Sequence, residues 1–545
     1  MQPLSRRGFI IGSLAAVLTG CRSSGRAAGG ADGSPPTSAT STTTAAAPTT
    51  ASAPRTTTTA PRLPGDPFTL GVASGDPLSD AVILWTRLAP DPLAPGGGGG
   101  MPAQDVEVTW EVAADEAFTD IVGSGTALAS PLHAHAVHVD ATGLVPFTSY
   151  FFRFGAGEHT SPTGRARTMP GPDQADPELR IGHASCQHYE QGRYAAHRDI
   201  AAADLDALVW LGDYIYEGRA HTVGQDDAIR SHDGPEPVDL AGYRNRYALY
   251  KTDADLQAAH ASTPWFVIWD DHEVENNYAG DRSQDADVPE AVFRARRAAA
   301  YQAWWEHQPV RLPAPESAEY RIYRSFGLGS LAQLFLLDGR QYRSDQSCGD
   351  QVLVLEPPCP ETFAPGRTML GDEQERWLLD GLAASPTTWN IVGNQTILSD
   401  LTLNGAILNH DQWDGYPEAR ERLLYGIDQT SLTNVVTLTG DIHAAGVIDL
   451  VVEDENGRHA VGTELITSSV SSTTNLPIGA EAILAQFPAV HYADGTKRGW
   501  VRSVITPTGW VAEYRTVDDV TRADSPITIA ATFRIDPATP GARTG

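Results

Sequence analysis

Ala207-Leu-Val-Trp-Leu-Gly-Asp213 and Pro264-Trp-Phe-Val-Ile-Trp-Asp270 share one design, an unbroken apolar run that ends in an acid. A run without polar alternation is a strand buried on both faces, as in the centre of an α/β sheet. Leu331 to Asp338, Trp389 to Asn394 and Val435 to Asp441 repeat the design less strictly, and Leu179 to Ala184 is a shorter, mixed version. Helical patterns lie between them, at Tyr194 to Ala203, Glu290 to His307 and Asp372 to Leu382. The alternation predicts a layered α/β domain over residues 178–535. Open α/β sheets carry their sites at the carboxyl ends of the strands, where the polar residues of these runs fall.

Upstream the pattern changes to short strands. Ala81 to Arg87, Val106 to Val112, Ala136 to Asp140 and Thr148 to Phe154 are separated by turn-rich stretches at Leu93 to Gly100 and Thr142 to Pro146. Residues 66–170 therefore read as an all-β, immunoglobulin/fibronectin-like sandwich. Leu144 to Tyr150 resembles a fibronectin-type corner, with the Tyr150 hydroxyl bonded back to the backbone.

The first 62 residues are an address and a tether. Arg6 and Arg7 precede the short apolar stretch Ile11 to Leu18, the pattern of a twin-arginine export signal over residues 1–20. Leu18-Thr-Gly-Cys21 reads as a lipobox, with Cys21 the lipidated residue. Residues 21–62 are mostly Ser, Thr, Ala, Gly and Pro, too poor in apolar bulk to offset the entropy of ordering. The expected location is outside the cytoplasm, as a lipoprotein on the extracellular face of the membrane or as a secreted protein. The expected partners are the twin-arginine machinery and the membrane, through a lipid anchor.

The chain has 545 residues and a formal net charge of −29. Such an acid excess argues against a nucleic-acid-binding role. A protein this acidic that acts on anions must supply local positive charge from metal ions or arginines. Four cysteines are too few for a disulfide scaffold. Beyond the N-terminal segment no apolar run reaches the roughly 18 residues of a membrane span.

Three strand ends carry chemistry. Leu211-Gly-Asp-Tyr-Ile-Tyr-Glu217 puts Asp213 three residues from Tyr216, so one turn can aim both inward, with Gly212 leaving backbone room for an ion. Asp270-Asp-His-Glu-Val-Glu-Asn-Asn277 is a dense run of oxygen and nitrogen donors. Thr439-Gly-Asp-Ile-His443 sets Asp441 and His443 two apart, on one side of an extended chain. Carboxylate, amide, imidazole and phenol together suit iron, calcium, manganese or zinc. Cys186 follows the first strand of the domain. It reads as a buried structural thiol, as a nucleophile with His188 as base, or as a soft metal ligand, the reading that explains both its position and its company.

Taken together, Ser185-Cys-Gln187, Leu211 to Glu217, Trp269 to Asn277, Asp338-Gly-Arg-Gln-Tyr-Arg343, Met369 to Leu378, Gly393-Asn-Gln395 and Thr439 to His443 resemble the PhoD-type alkaline phosphatases. The resemblance runs from about Pro67 to the C-terminal region. It implies a calcineurin-like metallophosphatase core that cleaves phosphomonoesters and phosphodiesters by metal-activated hydroxide attack. It further implies Fe3+ held by Cys186, Asp213, Tyr216 and His443, and Ca2+ held by Asp213, Asn276 and Asp441, with other divalent metals as substitutes. His272 and Arg343 are candidates to contact the phosphate-ester substrate. In an exported protein, Cys348 and Cys359, eleven positions apart, are expected to form a disulfide. The competing functional class is a non-catalytic cell-surface binding lipoprotein; it leaves buried acids at strand ends without a purpose.

Overall fold

The strands that run to the centre of the molecule stop in register with their chemistry. Polar residues stand two positions beyond the ends of β9, β10, β11, β13, β14 and β15: Cys186, Asp213, Asp270, Asp338, Gln395 and Asp441. The structure is a computed structural model and describes residues 63–174, 177–221, 228–349, 357–455, 457–474, 481 and 484–545. The expected export signal, Cys21 and the tether lie outside the described residues.

In chain order the N-terminal region contributes β1 (Val72–Gly75), β2 (Ala81–Arg87), β3 (Val106–Ala113), β4 (Ile121–Ala129), β5 (Ala136–Thr142), β6 (Ser149–Ala156), β7 (His159–Thr160) and β8 (Gly164–Arg167). Next come β9 (Leu179–Ala184), α1 (Ala195–Ala202), β10 (Ala207–Leu211), α2 (Leu240–Lys251), α3 (Ala254–Ser262), β11 (Trp265–Ile268) and α4 (Glu290–His307). They are followed by β12 (Arg324–Leu328), β13 (Ala332–Leu336), α5 (Gly371–Ala384), β14 (Trp389–Gly393), α6 (Pro417–Gln429) and β15 (Val435–Thr439). The C-terminal part adds β16 (Ala445–Asp454), β17 (Gly457–Ile466), β18 (Val490–Asp494), β19 (Arg498–Thr506), β20 (Gly509–Val517), β21 (Ile527–Asp536) and β22 (Thr539–Thr544).

These strands form three sheets. A ten-stranded sheet has the order β22-β21-β20-β19-β9-β10-β11-β1-β2-β5, and a seven-stranded sheet the order β12-β13-β14-β15-β17-β16-β18. Each has a parallel centre, β9-β10-β11 in the first and β13-β14-β15-β17 in the second. The central strands β10, β11, β14 and β15 are buried along their whole length, as apolar runs require. One apolar cluster joins Leu208, Phe266 and Val267 of the first sheet to Leu334, Ile391 and Leu438 of the second, together with Tyr194, Tyr247 and Trp304 from the helical side. A second cluster packs Leu378 and Leu382 of α5 and Leu423 and Ile427 of α6 against Phe335, Val392 and Val435. The architecture is a mixed α/β one built on large sheets.

The N-terminal strands divide between two sheets. β3, β4, β6, β7 and β8 form a sheet of five strands, while β1, β2 and β5 extend the ten-stranded sheet. The link to β11 is one parallel pair, Gly75 with Trp265. Val82, Leu84 and Val139 from one layer pack on Val108, Phe152 and Phe154 from the other. The backbone N–H of Val145 donates to the Tyr150 hydroxyl at 2.9 Å, as the corner reading expects. No helix among the described residues is long and apolar enough to cross a membrane.

Candidate metal centre

The turns after β9, β10 and β15 use the same backbone device. Cys186, Asp213, Asp441 and His443 all have left-handed backbone, with φ between 57° and 63°. Non-glycine residues rarely adopt it, and it persists where the surroundings over-determine it, commonly at functional sites. At Asp441 and His443 this corrects the extended-chain reading. Two left-handed residues send the side chains to different neighbours, Asp441 toward Asp270 and Asp271, His443 toward Cys186 and Asp213. At Gly212 φ is 104°, and a Cβ there would stand 2.4 Å from that of Asp270, so the packing of the two strand ends itself requires glycine.

One group of donors comprises Cys186, Asp213 and His443, whose ligand atoms lie within 4.8 Å of one another. Tyr216 joins it, its hydroxyl donating to Asp213 Oδ2 at 2.8 Å and lying 2.9 Å from His443 Nε2. His443 Nδ1 is 2.6 Å from the Thr473 carbonyl, which only accepts; the ring proton therefore sits on Nδ1 and Nε2 presents a lone pair to the group. Burial and then Asp213 push the Cys186 thiol and the Tyr216 phenol well above their ordinary values. Burial lowers His443 to about 3. Asp213 Oδ1 is buried with no hydrogen-bond partner. Two oxygens, one sulfur and one imidazole nitrogen around such an orphaned oxygen fit a metal ion that favours mixed soft and hard ligands.

A second group is made of acids. Asp270, Asp271 and Asp441 converge, and Asp213, Asp271 and His272 bridge this group to the first. Arg340, fully buried, sits among them. Its Nε donates to Asp270, Nη1 to Asp411 at 2.9 Å, and Nη2 reaches Asp441 at 3.3 Å and Asp271 at 3.6 Å. Burial alone would raise Asp411, but Arg340 and Arg343 hold it below the ordinary carboxylate value. Asp441 is raised to about 7, chiefly by burial. Asp270 Oδ2 remains without a partner. Glu273 braces the floor: its carboxylate accepts from the backbone N–H of Asp213 (3.1 Å), Tyr214 (2.6 Å) and Asp270 (2.9 Å).

Of the remaining expected residues, His272 and Arg343 lie inside the site, each held by a carboxylate, while Asn276 faces outward. His272 Nδ1 lies 2.6 Å from Glu217 Oε2, and its ring is 4.1 Å from that of Tyr216. Burial works against charge on His272, but Glu217 and Asp271 carry the imidazole well above its ordinary value. Arg343 is committed to Asp411, with Nη2 to Oδ1 at 2.6 Å. Asn276 turns its amide to Gln284 at 3.0 Å, on the exposed side of the loop. Cys348 and Cys359 are disulfide-bonded, and Cys186 is a free, buried thiol. Asp270, Asp271, Glu273 and Arg340 lie inside the sequence motifs, but nothing local sets them apart from their neighbours. Asp411 and Ser472 carried no local signal.

Comparison with known proteins gives the class first. The sequence pattern described as PhoD-like phosphatase matches residues 181–514, and that of the PhoD-like phosphatase N-terminal domain matches residues 51–170. Alkaline phosphatase D of Bacillus subtilis (strain 168) is 44% identical over 483 residues, spanning 87% of this chain and 82% of that protein. A solved structure of PhoD superposes with a TM-score of 0.84 at 43% identity, covering 89% of this chain and 93% of that one. The protein is a phosphoric ester hydrolase, and the chain belongs to the PhoD-like phosphatase family.

Proposed function

We propose that the chain is an exported, metal-dependent phosphohydrolase that cleaves phosphomonoesters and phosphodiesters. The observation that carries the metal dependence is the charge of the site. Asp213, Glu217, Asp270, Asp271, Glu273 and Asp411 are buried together with a part-buried Asp441 beside them, while the cations among them are Arg340, Arg343 and a charged His272. Buried carboxylates without counter-charge are costly.

In this reading Cys186, Asp213, Tyr216 and His443 hold a ferric ion. Asp213, Asp441 and Asn276 hold calcium, with Asn276 turning away from Gln284 to do so. Bound there, the two ions would polarise the phosphate oxygens and lower the pKa of an attacking water. The chain's own residues do the rest. Left-handed turns hold the ligands in place before substrate arrives. Glu273 locks the ends of β10 and β11 together. His272, kept charged by Glu217, stands at the mouth as a donor toward the phosphate or leaving group, while Arg343 orients Asp411. A scaffold lipoprotein would leave this buried acid set unused.

We further read residues 66–170 as an immunoglobulin/fibronectin-like sandwich and residues 178–535 as a calcineurin-like core. Export is read from Arg6 and Arg7, and the lipid anchor from Cys21. Elemental analysis of the purified protein, with turnover of a monoester and a diester before and after chelation, tests the central reading. Iron, calcium and chelator-sensitive turnover support it; full activity in a metal-free protein overturns it. Replacing Arg6 and Arg7 by Lys should retain precursor inside the cell, and Cys21→Ala should release the protein from the membrane.

A further inference from the structure

The segment after β17 runs beside the loop that carries Cys186: Ser185 and Ser469 form a parallel bridge. Three residues on, Ser472 is completely buried. Its Oγ lies 2.9 Å from Tyr216 Oη and 2.9 Å from the Cys186 carbonyl, and it accepts from the His188 backbone N–H at 3.1 Å. The next residue, Thr473, supplies the carbonyl that orients His443. One short loop thus touches two candidate iron ligands and the backbone of a third.

A proton inventory decides where the Ser472 hydroxyl points. A serine hydroxyl has one proton to give. The Cys186 carbonyl already accepts from the backbone N–H groups of Ser471 and Ser472, both at 3.3 Å. Tyr216 Oη is the poorer-supplied acceptor. Around it stand Asp213 Oδ2, which only accepts when ionised, and His443 Nε2, which presents a lone pair. The Tyr216 proton is given to Asp213 Oδ2, so the phenol oxygen is left to accept, and Ser472 is a hydroxyl donor within reach at 2.9 Å.

We propose that Ser472 is a positioning residue of the iron site, donating its hydroxyl to the Tyr216 oxygen and so setting the electron density of that ligand and the retention of iron. The proposal rests on the ferric reading above. It adds a residue 256 positions away in sequence and reached through no local motif. Groups that hydrogen-bond metal ligands tune the metal in this way, and their loss commonly costs about 10- to 100-fold in affinity.

The test compares Ser472→Ala with Ser471→Ala in the full, iron-loaded chain. Ser471 is the matched control: it is equally buried and donates to the His188 carbonyl at 3.0 Å. The readouts are iron per chain, the visible charge-transfer band and the rate of iron loss to a chelator. Removing a donor from a phenolate raises its highest filled orbital, so Ser472→Ala should move the band to longer wavelength and weaken iron binding about tenfold. Ser471→Ala should keep the original band. The proposal is overturned when Ser472→Ala retains the original band and iron retention, or when both variants shift alike. A parent protein without iron and without a band overturns the ferric reading itself, and the proposal with it. Should Ser472→Ala fail to accumulate, resonance Raman of the parent protein in D2O replaces it. A deuterium shift of the tyrosinate modes supports the donor, and its absence rules it out.

Discussion

The two halves of the site solve the problem of buried charge in opposite ways. Around Cys186, Asp213, Tyr216 and His443 the positive charge stands at the edge, on His272 beside Asp213 and Tyr216. Asp270, Asp271, Asp411 and Asp441 are threaded by Arg340. In the proposed reading a metal ion supplies the positive charge that the first half lacks. The second carries a fixed cation of its own, so any divalent ion there shares the acids with a guanidinium. The lesson is that a donor count alone does not rank two metal sites; the counter-charge already in place does.

Asp213 belongs to the first half and joins it to the second through Asp271 and His272, so its replacement should have the largest effect. Asp213→Asn is expected to lower kcat about 10³-fold, with loss of both iron and the divalent ion on elemental analysis. Near-normal metal content and turnover in that variant would break the two-half description. Cys186→Ala strikes the first half alone: iron and the visible band should go, whereas Cys186→Asp should keep part of the hydrolysis without the thiolate colour. Unchanged iron in Cys186→Ala would return that thiol to the nucleophile or structural readings.

Arg340→Met addresses the second half. Removing one partner of a buried ion-pair network costs about 3–5 kcal/mol, measured as denaturant stability of the chelated protein. Added divalent ion should recover more stability in this variant than in the parent, because the acids are then free to hold it. Equal recovery in both would show that Arg340 and the ion do not compete.

A smaller effect is expected behind that half. Gln346 donates to Asp411 at 2.8 Å and Ser347 lies 3.1 Å from His410, one residue before the disulfide-bonded Cys348. Cys359→Ser should cost roughly 2–3 kcal/mol from the released loop, with the iron band unchanged. A lost band would join the two halves mechanically.

The mildest test is pH. Burial raises Asp441 to about 7, above its value in the unfolded chain. A carboxylate raised on folding contributes stability at low pH that is lost as pH rises through the folded value. The chelated protein should therefore melt at a lower temperature at about pH 8 than at about pH 6, and metal should reduce the difference. A chelated protein more stable at the higher pH would contradict the burial of that acid.

Much of the fold was legible because its strands are continuous apolar runs. β9 spans Leu179–Ala184 and α4 spans Glu290–His307, as their patterns predict. The N-terminal region was legible as strands but not as sheets. Alternation places side chains on faces, whereas the single pair Gly75 with Trp265 that joins two regions has no local signature. Strands β16 to β22 were not resolved as separate elements.

By itself the sequence determined the candidate ligands: Cys186, Asp213 and Asp441 each stand two residues past a buried strand, and that position follows from the chain's local pattern. Tertiary structure decided their electrostatics. Arg340 meets Asp270 from 70 positions away and Asp411 from 71, and Ser472 meets Tyr216 from 256. Charge balance and hydrogen-bond inventory depend on which distant side chains share a buried space, and residue spacing along one chain does not encode that.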